Sequence, residues 1–221
     1  MIKAVIFDFD GVICESVQIK TEAFRRLFAD YPESLDRILE YHKRHGGISR
    51  FEKFRVIYRD FLKKEINDAE LQRLGEQFSV FSYESVLNAP LVKGAFEFLK
   101  RSHQSFYLFI VSGTPQEEIW GIVKKKKLDR FFRGVYGSPR TKDVLIKLIL
   151  QENGFTADES VFVGDSMTDY EGAKAAGVHF IGRIPPGEPD PFSPLTIKAS
   201  IEDLTGLERF IPNGIKRITD D

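Results

Sequence analysis

The chain has 221 residues, 42% of them hydrophobic, enough to bury a sizeable core in one large domain or two modest ones. Its 33 acidic and 32 basic residues nearly cancel, and neither end carries a block of like charge, which argues against nucleic acid or an anionic membrane as partner and for a small diffusible molecule. The apolar run after Met1 stops at Asp8, too short and too acidic for a signal-peptide core, no later run can span a bilayer, and Cys14 alone cannot form an intrachain disulfide, so the chain is expected in the cytoplasm.

The first apolar segment, residues 4–7, is an unbroken β-branched and aromatic run and reads as a strand covered on both faces. Residues 15–90 then hold long helical stretches and no convincing strand, with Phe51, Phe54, Tyr58, Phe61 and Leu62 at helical spacing. A strand-to-strand crossover needs only roughly a dozen residues. This stretch is several times longer and reads as an inserted helical cap, hinged at residues 11–16 and 88–92, where Gly, Pro and Asn interrupt regular structure. From about residue 92 strand and helix alternate, with strands at 106–111, 134–136, 161–163 and 178–181 and helices at 116–128, 142–153 and 169–176. That alternation predicts an α/β fold, a doubly wound parallel sheet with helices on both sides. A last strand is expected near 196–200 and a short helix after Glu202, while the run Lys124-Lys125-Lys126-Lys127 reads as a solvated helix face.

Four positions in this frame suggest chemistry. In Asp8-Phe9-Asp10-Gly11-Val12 two carboxylates two residues apart project toward one site as the first strand ends, although an acidic turn would use the same residue types. In Ser112-Gly113-Thr114-Pro115 a hydroxyl, a flexible backbone and a helix start coincide; Thr114 reads as N-cap, Pro115 as the first helical residue and Glu117 as the end of a capping box, leaving Ser112 and the Gly113 amide to face a phosphate. Lys142 sits in the first turn of a helix, where a cation opposes the helix dipole, which favours a functional lysine; Arg140 and Lys147 read as surface residues. In Gly164-Asp165-Ser166-Met167-Thr168-Asp169, Thr168 and Glu171 form a plausible capping box and Asp169 suits the first turn of the helix, but Asp165 has no structural reason to be there.

The carboxyl ends of parallel strands open onto one edge, where such sheets bind ligands, so Asp8, Asp10, Ser112, Lys142 and Asp165 are expected to converge. Gathered carboxylates repel one another unless a cation sits among them, and oxygen ligands suit a hard ion such as Mg²⁺. His42 and His45 lie three apart without a cysteine or third histidine to complete a zinc set, and a structural or solvated role is expected for both.

With these residues in place the sequence resembles the haloacid dehalogenase-like (HAD) hydrolase superfamily, in the helical-cap branch of the phosphoglycolate phosphatase and beta-phosphoglucomutase type. The resemblance implies a Rossmann-like catalytic core of residues 1–14 and 91–221 with an α-helical cap of 15–90. It implies Asp8 as nucleophile, Asp10 as acid and base, and Ser112, Gly113 and Lys142 as phosphate holders. It also implies Mg²⁺ held by Asp8, the Asp10 main-chain oxygen and Asp165, with Asp169 in support. Asp10 favours phosphoryl chemistry, because dehalogenases of the superfamily lack that second acid. In the cap, Gly46-Gly47-Ile48-Ser49-Arg50 looks like the substrate-facing loop of phosphoglucomutase-type relatives, where the arginine meets a second anionic group; by itself Arg50 also fits a solvated helix start.

The expected function is a Mg²⁺-dependent phosphatase acting on a small phosphomonoester, such as a sugar phosphate, a sugar-acid phosphate or phosphoglycolate, through a phospho-aspartate. A phosphosugar mutase on the same scaffold is the nearest alternative. A signalling module that only accepts phosphate on an aspartate is a remoter one, because receiver domains are about half this length and lack the helical insertion.

Overall fold

The structure, a computed structural model, describes residues 1–211. Six strands form one sheet, β1 (Ala4–Phe7), β2 (Tyr107–Pro115), β3 (Gly134–Ser138), β4 (Ser160–Gly164), β5 (His179–Arg183) and β6 (Ala199–Ile201), in the order β3-β2-β1-β4-β5-β6. Every neighbouring pair is parallel. Four core helices flank it, α5 (Ala95–Ser102), α6 (Gln116–Lys125), α7 (Lys142–Asn153) and α8 (Met167–Ala176).

Alternation along β1 shows why the strands are apolar throughout. Val5 and Phe7 join an apolar cluster with Phe98 and Leu99 of α5 and Ile119, Ile122 and Val123 of α6. Ala4 and Ile6 join the opposite cluster with Leu145, Ile146 and Ile149 of α7 and Ala173 of α8. Successive strand residues point to opposite faces, so a sheet covered on both sides needs no polar position between its ends. The alternating strand-and-helix pattern thus gives the doubly wound sheet that the sequence implies.

Between β1 and β2 the chain runs through α1 (Val17–Leu27), α2 (Pro32–Arg44), α3 (Arg50–Val56) and α4 (Asp68–Asn88), with a π-helical turn at Ile57–Phe61. These helices have an apolar cluster of their own, built on Phe24, Phe28, Phe54, Ile57, Leu71, Leu74 and Phe78. The two connecting segments run side by side: Glu15 N donates to Pro90 O at 3.0 Å and Val92 N to Ile13 O at 3.0 Å. The lone cysteine, Cys14, is buried at this crossing, so it is unavailable to solvent.

Three local expectations are corrected. β2 continues through Ser112, Gly113 and Thr114, so α6 begins at Gln116 after Pro115 and no side chain caps it; Thr114 is a strand residue. The capping box of α8 is Ser166 with Asp169, two residues ahead of Thr168 and Glu171, because both hydrogen bonds that define it are made there. The last strand lies at Ala199–Ile201, and the helix after Glu202 is one 3₁₀ turn at Leu207–Arg209. Residues 212–221 of the core segment expected at 91–221 lie outside the described residues.

Candidate active site

Strand order reverses at β1, the switch point where doubly wound sheets open a crevice at their carboxyl ends. Asp8 follows β1 and Asp165 follows β4, its sheet neighbour, so topology alone sets the two acids side by side. Oxygen atoms of Asp8, Asp165 and Asp169 all lie within 4.8 Å of one another. Gly11, in a left-handed conformation at φ 75°, lets the loop after Asp10 pass this cluster: a Cβ there would fall 2.0 Å from Asp165 Oδ2.

Lys142, at the start of α7, supplies the charge these acids face. Its Nζ lies 3.1 Å from Asp8 Oδ2 and also pairs closely with Asp169 Oδ1. Burial disfavours the ammonium, but Asp169 and Asp8 outweigh it and hold the lysine above its ordinary pKa. Burial pushes the Asp8 carboxyl up to about 7, with Lys142 opposing the rise and Asp169 and Asp10 adding to it. Asp165 is raised well above the usual carboxylate range by burial and then by Asp169 and Asp8. One lysine does not neutralise three carboxylates. The donor set is all oxygen, which fits a hard divalent cation held by Asp8 and Asp165. Asp169 stands behind them, for its Oδ2 already accepts from Asp165 N at 3.2 Å, Ser166 N at 3.0 Å and Ser166 Oγ at 2.6 Å.

Asp10 is treated differently from Asp8 two residues away. Its Oδ1 accepts from Ser16 Oγ at 2.6 Å, and its Oδ2 pairs with Lys20 and accepts from Thr114 Oγ1 at 3.2 Å. Burial favours the protonated form, but Lys20 and Ser16 overcome it and leave Asp10 below its ordinary pKa. Sequence reasoning missed Lys20 and Thr114. Lys20 carries the signal that singled out Lys142, a cation in the first turn of a helix, here α1. Thr114 was assigned to capping; the register shift between Val111 and Pro115 in the β2–β3 pairing lifts residues 112–114 off the regular ladder at the site.

Ser112 is buried beside these groups, its Oγ accepting from Thr114 N at 3.1 Å. Gly113 meets the helical insertion directly, since a Cβ on it would sit 2.3 Å from the Gly47 carbonyl oxygen. Gly47 in turn has φ 78° and would place a Cβ 2.8 Å from Lys142 Nζ. The loop at residues 46–48 therefore lies on the strand ends. Arg183, at the end of β5, braces the other side, donating to Gly11 O at 3.0 Å and to both Glu15 carboxylate oxygens at 2.6 and 3.1 Å.

The structure brings Asp8, Asp10, Ser112, Gly113, Lys142, Asp165 and Asp169 to one sheet edge, under a cleft of about 610 Å³ whose far wall includes Lys20, His42, Arg50 and Lys53. Arg50 reaches that wall already engaged: it is 5% exposed, pairs with Glu118 of α6 at 2.5 Å and donates to Ser79 Oγ at 2.7 Å. It is buried, against the solvated reading. His42 is buried too, while His45 bonds back to Tyr41 O at 2.9 Å, and the sole cluster of potential metal ligands among the described residues is the aspartate one.

A doubly wound parallel sheet with a helical insertion after its first strand, acids ending β1 and β4 and a buried lysine opposite them defines a class of α/β hydrolytic enzymes. The profile of the haloacid dehalogenase-like hydrolases matches residues 5–183, and the chain belongs to that family. It is similar to a phosphoglycolate phosphatase of Pseudomonas putida, at 27% identity over 81% of this chain and 68% of that one. It is also similar to a phosphorylated carbohydrates phosphatase of Thermotoga maritima, at 26% identity over 81% of this chain and 83% of that one. Among solved structures, a hydrolase from Pseudomonas syringae superposes with a TM-score of 0.77 at 21% identity, covering 95% of this chain and 97% of its own. No helix among the described residues is long and apolar enough to cross a membrane.

Proposed function

We propose that this protein is a Mg²⁺-dependent phosphatase that frees the phosphoryl group of a small phosphomonoester through a phosphorylated Asp8. The observation that carries the reading is Asp8 itself: a carboxylate at the end of a buried parallel strand, 3.1 Å from a buried lysine and within 4.8 Å of two further carboxylates, at the foot of an open cleft. The names of the similar proteins, phosphatases of phosphoglycolate and of phosphorylated carbohydrates, point the same way.

An Asp8 oxygen forms the bond to phosphorus as the ester P–O bond breaks, and the departing alkoxide takes its proton from Asp10. Water then attacks the aspartyl phosphate, its proton passes to Asp10, and the P–O bond to Asp8 breaks. The Asp10 carboxylate held by Lys20 and Ser16 is in the state that the water step needs; release of the Lys20 contact returns it to the proton-carrying state of the first step. Lys142, Ser112 Oγ and the Gly113 amide receive charge on the phosphoryl oxygens, the larger part of what phosphoryl transfer asks of a protein. Asp8, Asp165 and the Asp10 main-chain oxygen would hold Mg²⁺, with Asp169 fixing Lys142 and the Asp165 loop; the ion would supply charge neutralisation at the phosphoryl group. The helical unit of residues 15–90 acts as a cap whose 46–48 loop keeps bulk water from the strand ends.

The test is phosphate release by purified protein with Mg²⁺ from phosphorylated sugars, sugar acids and glycolate. Many turnovers of free phosphate support the reading. Isomerised ester without phosphate would return the mutase, and a single stoichiometric phosphorylation would return the signalling module.

A further inference from the structure

The cap side of the cleft holds a charge that the phosphatase reading leaves unused. Lys53 of α3 lines the cleft and is 3% exposed, yet no carboxylate lies within 4.0 Å of its ammonium among the described residues. Its two acceptors are both neutral and both from His42, the ring Nδ1 at 3.2 Å and the main-chain oxygen at 3.1 Å. His42 stays uncharged, since burial and then Lys53 and Lys20 push its pKa down to about 2, and its ring packs 4.1 Å from that of Phe24. The other cations of this wall are occupied, Arg50 by Glu118 and Lys20 by Asp10.

A buried ammonium without a counter-charge is costly, and natural interiors pair such groups. Of the acids across the cleft, Asp8 and Asp169 are bound to Lys142 and Asp10 to Lys20. Asp165, which with Asp10 attracts the Lys53 ammonium, does so without an ion-pair contact and sits in the cluster that would hold the metal ion. Burial, followed by the repulsion of Lys20 and Lys142, brings Lys53 down to about 7, the behaviour of a cation whose partner arrives from outside. Two of its three N–H groups are already engaged, so it matches a singly charged group better than a second phosphate, which needs more donors. The cleft, about 610 Å³, accepts an alcohol of several carbons.

We propose that Lys53, oriented by His42, binds a carboxylate on the alcohol half of the substrate, so that this enzyme favours phosphate esters of hydroxy acids over those of neutral alcohols and sugars. This rests on the phosphatase reading, with the phosphoryl end at Asp8 and Lys142 and the acid end under α3. Lys53, and not Arg50, is then the group that reads the second charge.

The experiment compares matched esters that differ by the acid alone: 2-phosphoglycolate with 2-hydroxyethyl phosphate, 3-phosphoglycerate with glycerol 3-phosphate, and 6-phosphogluconate with sorbitol 6-phosphate. The wild-type enzyme with Mg²⁺ should show higher kcat/KM for the acid in the pair whose length fits. Lys53→Met should lower that acid-to-neutral ratio about 10- to 100-fold, the value of a hydrogen bond to a charged group, and Lys53→Arg should keep more of it. Ratios near unity in every wild-type pair, or a ratio untouched by Lys53→Met in folded protein, would overturn the proposal. Calorimetric titration of Asp8→Asn protein with the same esters tests the subsite without turnover: tighter binding of the acids supports it, and equal binding overturns it. Failure of every ester to release phosphate from the wild-type enzyme, beside such a binding preference, would sink the phosphatase reading alone.

Discussion

The floor and the roof of the cleft carry opposite, unbalanced charge. On the floor, Asp8 and Asp169 share Lys142 while Asp165 beside them pairs with no cation among the described residues, and Asp8 and Asp165 are both pushed toward protonation. On the roof, Lys53 has only neutral acceptors and is pushed toward deprotonation. The two displacements have one leading cause, the burial of charge, and the proposed ligands would supply the missing partners: a hard cation below, an anionic group above. Arg50 and Glu118 show the contrasting case, a roof-to-floor pair that is complete within the chain and has no need of a ligand.

The sharpest way to break this picture is at its floor. Asp8→Asn keeps the shape but removes the nucleophile, and phosphate release should fall about a thousandfold or more. Retention of a tenth of the wild-type rate would remove Asp8 from the chemistry.

The completed pair comes next. Arg50→Ala strands Glu118, which is 14% exposed, and should cost about 2 to 3 kcal/mol of stability in urea unfolding. Its KM should rise alike for acid and neutral esters, because the cap loses an anchor and no substrate contact. A rise confined to acid esters would transfer the recognition of the second charge from Lys53 to Arg50.

Mg²⁺ should then separate the floor from the rest of the molecule by pH. With Asp8 raised from 3.8 to about 7, the metal-free folded protein keeps a proton that the unfolded chain releases, so the contribution of Asp8 to stability is full below about pH 4 and is lost as pH rises through 7. Mg²⁺ held by the ionised carboxylates would remove that loss. The rise in Tm on adding Mg²⁺ should therefore be larger at pH 8 than at pH 5, by about 2 to 4 °C for each kcal/mol recovered. An equal rise at both values would mean that the aspartates are not its ligands.

The smallest effect is expected at Lys20. Lys20→Met takes away the cation that holds Asp10 ionised, so Asp10 keeps its proton to higher pH and the alkaline limb of kcat/KM should move upward. An unmoved limb would show that the Lys20 contact is absent from the working enzyme.

The sequence made the floor legible and the roof almost illegible. Strand-ending acids stand out because a buried strand has no packing use for them, and Lys142 because a cation at a helix start works against the dipole. Lys20 was open to the same argument but lacked a motif around it. Thr114 was hidden by a capping pattern, Thr-Pro followed by an acid, that the extension of β2 overrides. The Ser166–Asp169 box was likewise masked by an equally good one two residues on. Arg50 and Lys53 share a face of α3, yet a charged residue three positions from another is the ordinary signature of a solvated helix face.

What the sequence determined by itself was the α/β alternation, the helical insertion and the acids ending β1 and β4, because hydrophobic period and the placement of charge at element ends are local quantities. Only the tertiary structure decided which charges are spent and which are free. That Arg50 meets Glu118, Lys20 meets Asp10 and Lys53 meets no acid depends on how α1 and α3 lie over the sheet, and a desolvated charge is defined by neighbours distant in the chain, here residues 10, 42, 114 and 118.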